Sequence, residues 1–305
     1  MTWILLVLLY GLLKGAREIA KKKAMETNSV MEVLVVYTLL SFLFVIPEAP
    51  EAGGVTARQL AFIALKSFVI FLAWICSFRS LKKLPVSLFG ILDLSRVLFA
   101  TFFGAVILGE DMGPWQVAGL VVVCAGLVML KFRPKKAGGA QKADGAQTAS
   151  SAPAQEAAAS RKPVSATTLY VILALLSCML NAVSGFLDKV LMKDITSAQL
   201  QFWYMLFLIS FYLIYVLITR EKIRSSVWKN WWVWLLAVMF VIGDKALFVA
   251  NGYPESKITV MTLIKQSGCI VAILGGRFIF KEKNTTWRLI CALVIIAGIV
   301  MGVVK

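Results

Sequence analysis

Apolar residues in this chain gather into blocks of about twenty, the helix length that crosses a ~30 Å hydrocarbon core. Ten such blocks fill most of the sequence, at 2–25, 29–46, 57–80, 86–108, 114–131, 167–192, 197–218, 229–251, 256–279 and 285–304. In lipid only helices and closed barrels satisfy every backbone group. These blocks are too long and too uniformly apolar for alternating strands of about ten residues. The expected fold is an all-α integral membrane protein with ten transmembrane helices. Composition agrees: 60% of residues are hydrophobic and 16% charged, with mean hydropathy +0.83, whereas soluble domains carry about 25% charge. The first block has no basic run before it and no small-residue cleavage site after it, so it is expected to stay as a span.

Between the fifth and sixth blocks, residues 134–165 are rich in Ala, Gly, Gln, Ser and Pro and nearly devoid of large apolar side chains. Such a segment cannot form a core and reads as a disordered linker. It divides the chain into a first five-helix repeat, 1–133, and a second, 166–305. The halves resemble one another. Gly15 to Glu18 precedes Asn28-Ser29, and Gly185 to Asp188 precedes Thr196-Ser197. Glu110, Trp115 and Gly126 recur as Glu282, Trp287 and Gly298, a register that also pairs Ser95 with Ser267 and Asp93 with Lys265. Two halves with odd span numbers lie in opposite orientations. That is the inverted-repeat design of secondary transporters, whose site sits near the midplane between the repeats.

The Tyr10-Gly11 pair, the Leu108-Gly109-Glu110 turn, Gln116 with Gly119, and Leu263 to Ser267 followed by Lys281-Glu282-Lys283 together resemble the drug/metabolite transporter superfamily, in its EamA branch. The resemblance covers the whole chain except the linker. It implies an exporter or exchanger of a small metabolite such as an amino acid, a sugar phosphate or a nucleotide sugar. The chain departs from the usual pattern where Gly109 becomes Lys281 and Gly119 becomes Cys291 in the second half, and in the charge of its first span. These departures bear on the substrate, not the fold.

The net charge is +16, from 32 Lys and Arg against 16 Asp and Glu. The basic residues lie in short stretches between apolar blocks, not on one face, so nucleic-acid binding is not expected. With His absent, His-based metal sites and proton shuttles are excluded. The five Cys lie inside apolar blocks without a CxxC pair and read as small hydrophobes. No cofactor, metal or enzymatic activity is expected. If the N-terminus is outside, cytoplasmic loops hold 20 of the basic residues and outer loops 4. The positive-inside rule then places both termini outside. The resemblance implies the reverse, with both termini in the cytoplasm, and the charge count is followed here. The expected location is a bacterial inner membrane.

Charges set inside the blocks include Lys14, Arg17, Glu18, Lys66, Asp93, Arg96, Asp188, Lys189, Asp244, Lys245, Lys265 and Arg277. Each costs at least ~2.5–3.5 kcal/mol at the bilayer centre, so such residues line wet cavities, pair, or reach an interface. Lys14, Arg17, Glu18 and Arg277 read as snorkelling to the basic side, and Asp188 and Lys189 as close to the outer end. Arg96 and Lys265 fall mid-span in equivalent spans, where snorkelling is hardest. They are the expected substrate contacts, with Ser95, Gln266, Ser267, Asp244 and Lys245 lining the same cavity and Asp93 orienting Arg96 from one turn away. The alternative for Lys265 is a structural ion pair with Asp93 or Asp244. The surplus of basic over acidic in-span residues favours an anionic or zwitterionic metabolite moved by alternating access. The alternatives are a flippase of lipid-linked sugar and an exporter of cationic, drug-like compounds. Partners are the small-molecule substrate and the bilayer. Gly119, Gly126, Gly298 and Gly302 permit close helix packing, with a homodimer contact as an option. Glu110 and Glu282 read as residues that fix helix ends, not as proton carriers.

Overall fold

The computed structural model describes residues 2–99, 113–129, 162–192, 194–251, 253, 264–282 and 285–303. Ten α-helices are present among the described residues: α1 (Thr2–Thr27), α2 (Val30–Val45), α3 (Ala57–Lys83), α4 (Val86–Asp93), α5 (Pro114–Met129), α6 (Lys162–Leu191), α7 (Ser197–Thr219), α8 (Trp231–Asn251), α9 (Ser267–Phe278) and α10 (Thr285–Val303). Short 3₁₀ turns follow α2 at Ile46–Glu51 and precede α8 at Ser225–Lys229. Four segments meet length and apolarity criteria for crossing a membrane within the described residues: Val30–Glu51, Ala57–Lys83, Thr167–Asp188 and Ser197–Thr219. α6 starts at Lys162, inside the segment read as linker. Pro163 suits that start, because a first-turn residue has no intrahelical partner for its missing N–H. The rest of the proposed linker, the Leu108-Gly109-Glu110 turn and the Gln116 side chain lie outside the described residues and side chains.

Local sequence sets the helix starts. Ser29, Thr56 and Thr196 each cap a helix through a reciprocal box with Glu32, Gln59 and Gln199. This satisfies backbone donors that the first helical turn would otherwise leave without partners. The boxes at Ser29 and Thr196 open the second span of each half, so the halves share a local punctuation as well as a span order.

The packing shows the repeat. Exchanging the halves maps α1 onto α6, α2 onto α7, α3 onto α8, α4 onto α9 and α5 onto α10. The contact of α1 with α8 then has its counterpart in α3 with α6. Likewise α1 on α9 corresponds to α4 on α6, and α2 on α8 to α3 on α7. The pairs α2–α7, α4–α9 and α5–α10 map onto themselves. The protein is thus two inverted five-helix repeats that interlock, with helices of one half packed mainly against the other.

Small residues set the closest crossings, as expected where lipid supplies no hydrophobic drive between helices. A Cβ on Gly268 would lie 2.5 Å from the carbonyl oxygen of Gly11, and one on Gly15 would overlap the carbonyl of Gly268, so α1 and α9 meet backbone to backbone. On the other side, a Cβ on Gly298 would lie 2.8 Å from the Gly119 carbonyl oxygen, and one on Gly126 would overlap Ile295. The Gly119, Gly126 and Gly298 stripe therefore joins α5 to α10 within the chain.

The fourth and ninth blocks are interrupted, whereas the hydropathy read them as continuous. α4 ends at Asp93, a turn covers Leu94 and Ser95, and helix resumes at Arg96. Backbone bonds there run three residues back, from Ser95 to Leu92 and from Val97 to Leu94, each about 3.0–3.1 Å. Helix also covers Ile264 and Lys265, turns at Gln266 and resumes as α9, with Cys269 N–H reaching Gln266 at 2.9 Å. In the repeat register Leu94 corresponds to Gln266. Such 3₁₀ tightening inside a helix marks a hinge or a functional site, and hydropathy cannot report it because no apolar residue is lost.

Candidate functional site

The interrupted helices carry charge at their breaks, and the structure pairs it. Asp93, the last residue of α4, accepts a bond from Lys14 on α1 at 2.6 Å and from Arg96 at 2.9 Å. Lys14 and Asp93 side chains are each only 14% exposed. Arg17, one turn along α1, reaches Asp244 on α8 at 3.4 Å. Lys66 on α3, almost fully enclosed, forms an ion pair with Asp188 on α6 at 2.6 Å. Asp244 lies within electrostatic reach of Arg17, Lys66 and Asp188 together. Three carboxylates and four cations thus form neighbouring pairs: Arg17–Asp244 and Lys66–Asp188 join one repeat to the other, and Asp93 holds Lys14 and Arg96 within the first.

Aromatic rings cover these cations. The Arg17 guanidinium sits 5.2 Å from the Phe240 ring centroid and 5.5 Å from that of Tyr10. The Lys66 ammonium sits 4.0 Å from the Tyr204 centroid. Tyr37 stacks on Trp74 at 5.3 Å, and both meet Phe240 edge-on. Counting from their capping boxes, Tyr37 and Tyr204 occupy the same position in α2 and α7. The ring quadrupole attracts a cation, which offsets part of the cost of taking these charges out of water.

The sequence-based site residues divide among three places. Arg96, Asp93 and Asp244 lie in the paired cluster. Ser95 is buried and donates its hydroxyl to Leu92 at 2.7 Å, so it shapes the helix break. Gln266 forms the equivalent break in the other half and is buried. The Ser267 hydroxyl is buried without a hydrogen-bond partner, where α1 passes at Gly11. Lys265 lies on the short helical turn before Gln266 and is half-buried. Lys245 is not with Asp244: it bonds Glu48 in the turn after α2, at 2.5 Å. Adjacent helical residues point about 100° apart, which sends Asp244 inward and Lys245 to that turn.

Sequence reasoning assigned Lys14 and Arg17 to snorkelling and gave Lys66 no role. The structure corrects the first assignment: Lys14 and Arg17 turn inward, to Asp93 and Asp244. A usable signal was present in the i, i+3 spacing of Lys14 and Arg17, which places both on one helix face. Glu18 pairs locally with Lys21 at 2.7 Å through one oxygen, and its other oxygen is buried without a hydrogen-bond partner. Cys178 on α6 adds a thiol to the cluster, 3.5 Å from the Leu92 carbonyl. Among the described residues no group of His, Cys, Asp and Glu has the arrangement of a metal site.

The end of the bundle that carries residues 21–29, 80–86, 220–230 and 280–282 is held shut by further contacts between the repeats. Glu282, before α10, accepts bonds from the backbone N–H groups of Val86 at 2.6 Å and Ser87 at 3.2 Å. It also meets the Ser87 hydroxyl, and Arg288 at 2.9 Å. Glu32, at the start of α2, accepts from the Arg224 guanidinium at 2.8 Å and from the Arg224 backbone at 3.2 Å. That bond holds the Arg224 guanidinium above its ordinary pKa. Within the first repeat, Lys22 donates to the Leu84 carbonyl at 2.5 Å, and Lys82 to that of Asn28 at 2.9 Å.

No curated protein matches the chain. Among solved structures, 28 chains match. One of them, a crystal structure, has a TM-score of 0.60 over 98% of this chain and 95% of its own; at 15% identity it shows likeness of fold alone. A family model, that of the EamA-like transporter family, matches residues 1–132 and again 168–304. With both halves matched, the chain belongs to the EamA-like transporter family.

Proposed function

We propose that the protein is a secondary transporter, an exporter or exchanger, that moves a small zwitterionic metabolite by alternating access at the paired cluster. The observation that carries this reading is the pairing itself. Arg17 with Asp244 and Lys66 with Asp188 put two cations and two carboxylates side by side between the repeats. The sequence alone suggested a positive surplus. The one-to-one pairing narrows that to a solute with both signs, whose carboxylate replaces an aspartate on Arg17 or Lys66 while its ammonium takes the aspartate. A buried pair is costly to break unless each partner is matched again, and a zwitterion matches both. Arg presents a planar fork suited to a carboxylate.

Alternating access follows from the inverted repeats, which exchange roles when one rocks against the other. The clamps at the basic end support a conformer closed on that side. The positive-inside count supports assigning that side to the cytoplasm, with both termini outside and 134–161 as a cytoplasmic linker.

The test is uptake into proteoliposomes of radiolabelled L-alanine, L-glutamate, a hexose phosphate and tetraethylammonium. Saturable uptake of the zwitterion above the anions and the cation is expected. Uptake of tetraethylammonium alone would point to the cation exporter instead, and uptake of the hexose phosphate alone to an anion site.

A further inference from the structure

We infer that Glu282 is a latch that sets how often the basic end of the protein opens, and that it transmits this to the central cluster through α4. The inference rests on the reading that the repeats rock, but it concerns different residues.

α4 begins at Pro85, which offers no side-chain cap for the helix. The first free backbone donors, Val86 and Ser87, are satisfied instead by the Glu282 carboxylate from the other repeat. A carboxylate at a helix N-terminus also meets the positive end of the helix dipole. α4 is eight residues long and ends at Asp93. One end of this short rod is therefore gripped by Glu282 and the other carries the carboxylate that binds Lys14 and Arg96. Along its length the rod has little play, since a Cβ on Gly90 would lie 2.9 Å from that of Ala272 on α9. Opening the basic end by moving α4 away from the loop before α10 requires the carboxylate to let go.

The chain around Glu282 is shaped for this grip. The Glu282 N–H bonds back to the Gly276 carbonyl at 3.0 Å, closing a wide turn past the end of α9. The residue before Glu282 in that turn, Lys281, is left-handed, with φ 50°. Glycine is the usual occupant because a side chain is strained there. Gly276 leaves room for the carboxylate: a Cβ there would lie 2.8 Å from a Glu282 oxygen and 3.2 Å from the Ser87 Cβ. Arg288 and Lys22 balance its charge, at 2.9 and 4.0 Å. The grip is thus geometrically defined yet held by a strained residue, as suits a contact that must break in every cycle.

Two substitutions should move the latch in opposite directions. Removing the carboxylate in Glu282→Ala or Glu282→Gln weakens it, and relieving the strain in Lys281→Gly strengthens it. The readout is the distance between spin labels at Lys83→Cys, beside the start of α4, and Arg277→Cys, at the end of α9, in a cysteine-free background in nanodiscs. In Glu282→Gln the ratio of long-distance to short-distance populations should rise roughly tenfold, the factor given by ~1.4 kcal/mol of lost closing energy. In Lys281→Gly it should fall. If Glu282→Ala fails to fold, the glutamine variant and Lys281→Gly carry the test. Folded variants whose distance distributions match the parent would overturn the latch. No transported solute is needed, so failure to find one leaves this measurement intact.

Discussion

Carboxylates tie the two repeats together in the centre of the protein and again at its basic end, but they do so differently. In the centre, Asp244 and Asp188 meet the side chains of Arg17 and Lys66 across the repeats, beside Asp93, which holds Lys14 and Arg96 within the first. At the basic end, Glu282 and Glu32 also accept bonds from backbone N–H groups at Val86, Ser87 and Arg224. A pair of side chains can exchange its partner for a solute of matching charge without stranding any backbone group. A backbone clamp cannot, because its release exposes a helix start. The centre is thus built for exchange and the end for open-or-shut behaviour, although both use the same chemical group.

The largest effect is expected from the centre. Asp93→Ala leaves both Lys14 and Arg96 without their carboxylate in a poorly solvated site, and should destabilise by ~3–5 kcal/mol, read from unfolding in detergent. Adding Lys14→Met should recover part of the loss, which a merely interfacial Asp93 would not require. Next comes the α1–α9 crossing. Gly268→Ala drives a methyl into the Gly11 carbonyl and should cost about 1–3 kcal/mol, as overpacking does. Lys281→Gly should act in the other direction and raise stability by about 1 kcal/mol, since a left-handed non-glycine residue costs that much. The smallest effect belongs to Arg224→Ala. Its side chain is 64% exposed, and the buried Glu32 carboxylate keeps the backbone N–H groups of Ser29 and residue 224, so the fall in melting temperature should be well below that of Asp93→Ala. Equal losses from Asp93→Ala and Arg224→Ala would erase the distinction between centre and end.

Much of this was legible in the sequence. Span number, the division into halves and their inversion follow from hydropathy and the recurring Glu, Trp and Gly positions, and the paired packing agrees. The face a charge presents was harder to read. Depth along a span put Lys14 and Arg17 near the basic end, yet both turn inward, because their direction depends on how α1 crosses α8 and α4. Asp244 and Lys245 are neighbours in sequence and part company in space. The breaks at Leu94-Ser95 and Gln266 carry no proline, and hydropathy passes straight through them. Glu282 was legible as a residue that fixes a helix end. That the helix belongs to the other repeat was not, since the two segments lie far apart in sequence and meet only through the interlocked fold.

The claim that the paired cluster is the transport site is tested most directly by counterflow of labelled L-alanine in proteoliposomes preloaded with unlabelled L-alanine, comparing the parent with the double variant Arg17→Met/Asp244→Leu. Replacing both members of a buried pair by apolar residues leaves no stranded charge and is often neutral for stability. The double variant is therefore expected to fold with a melting temperature near that of the parent and to lose counterflow. A folded double variant that retains full counterflow would contradict the account.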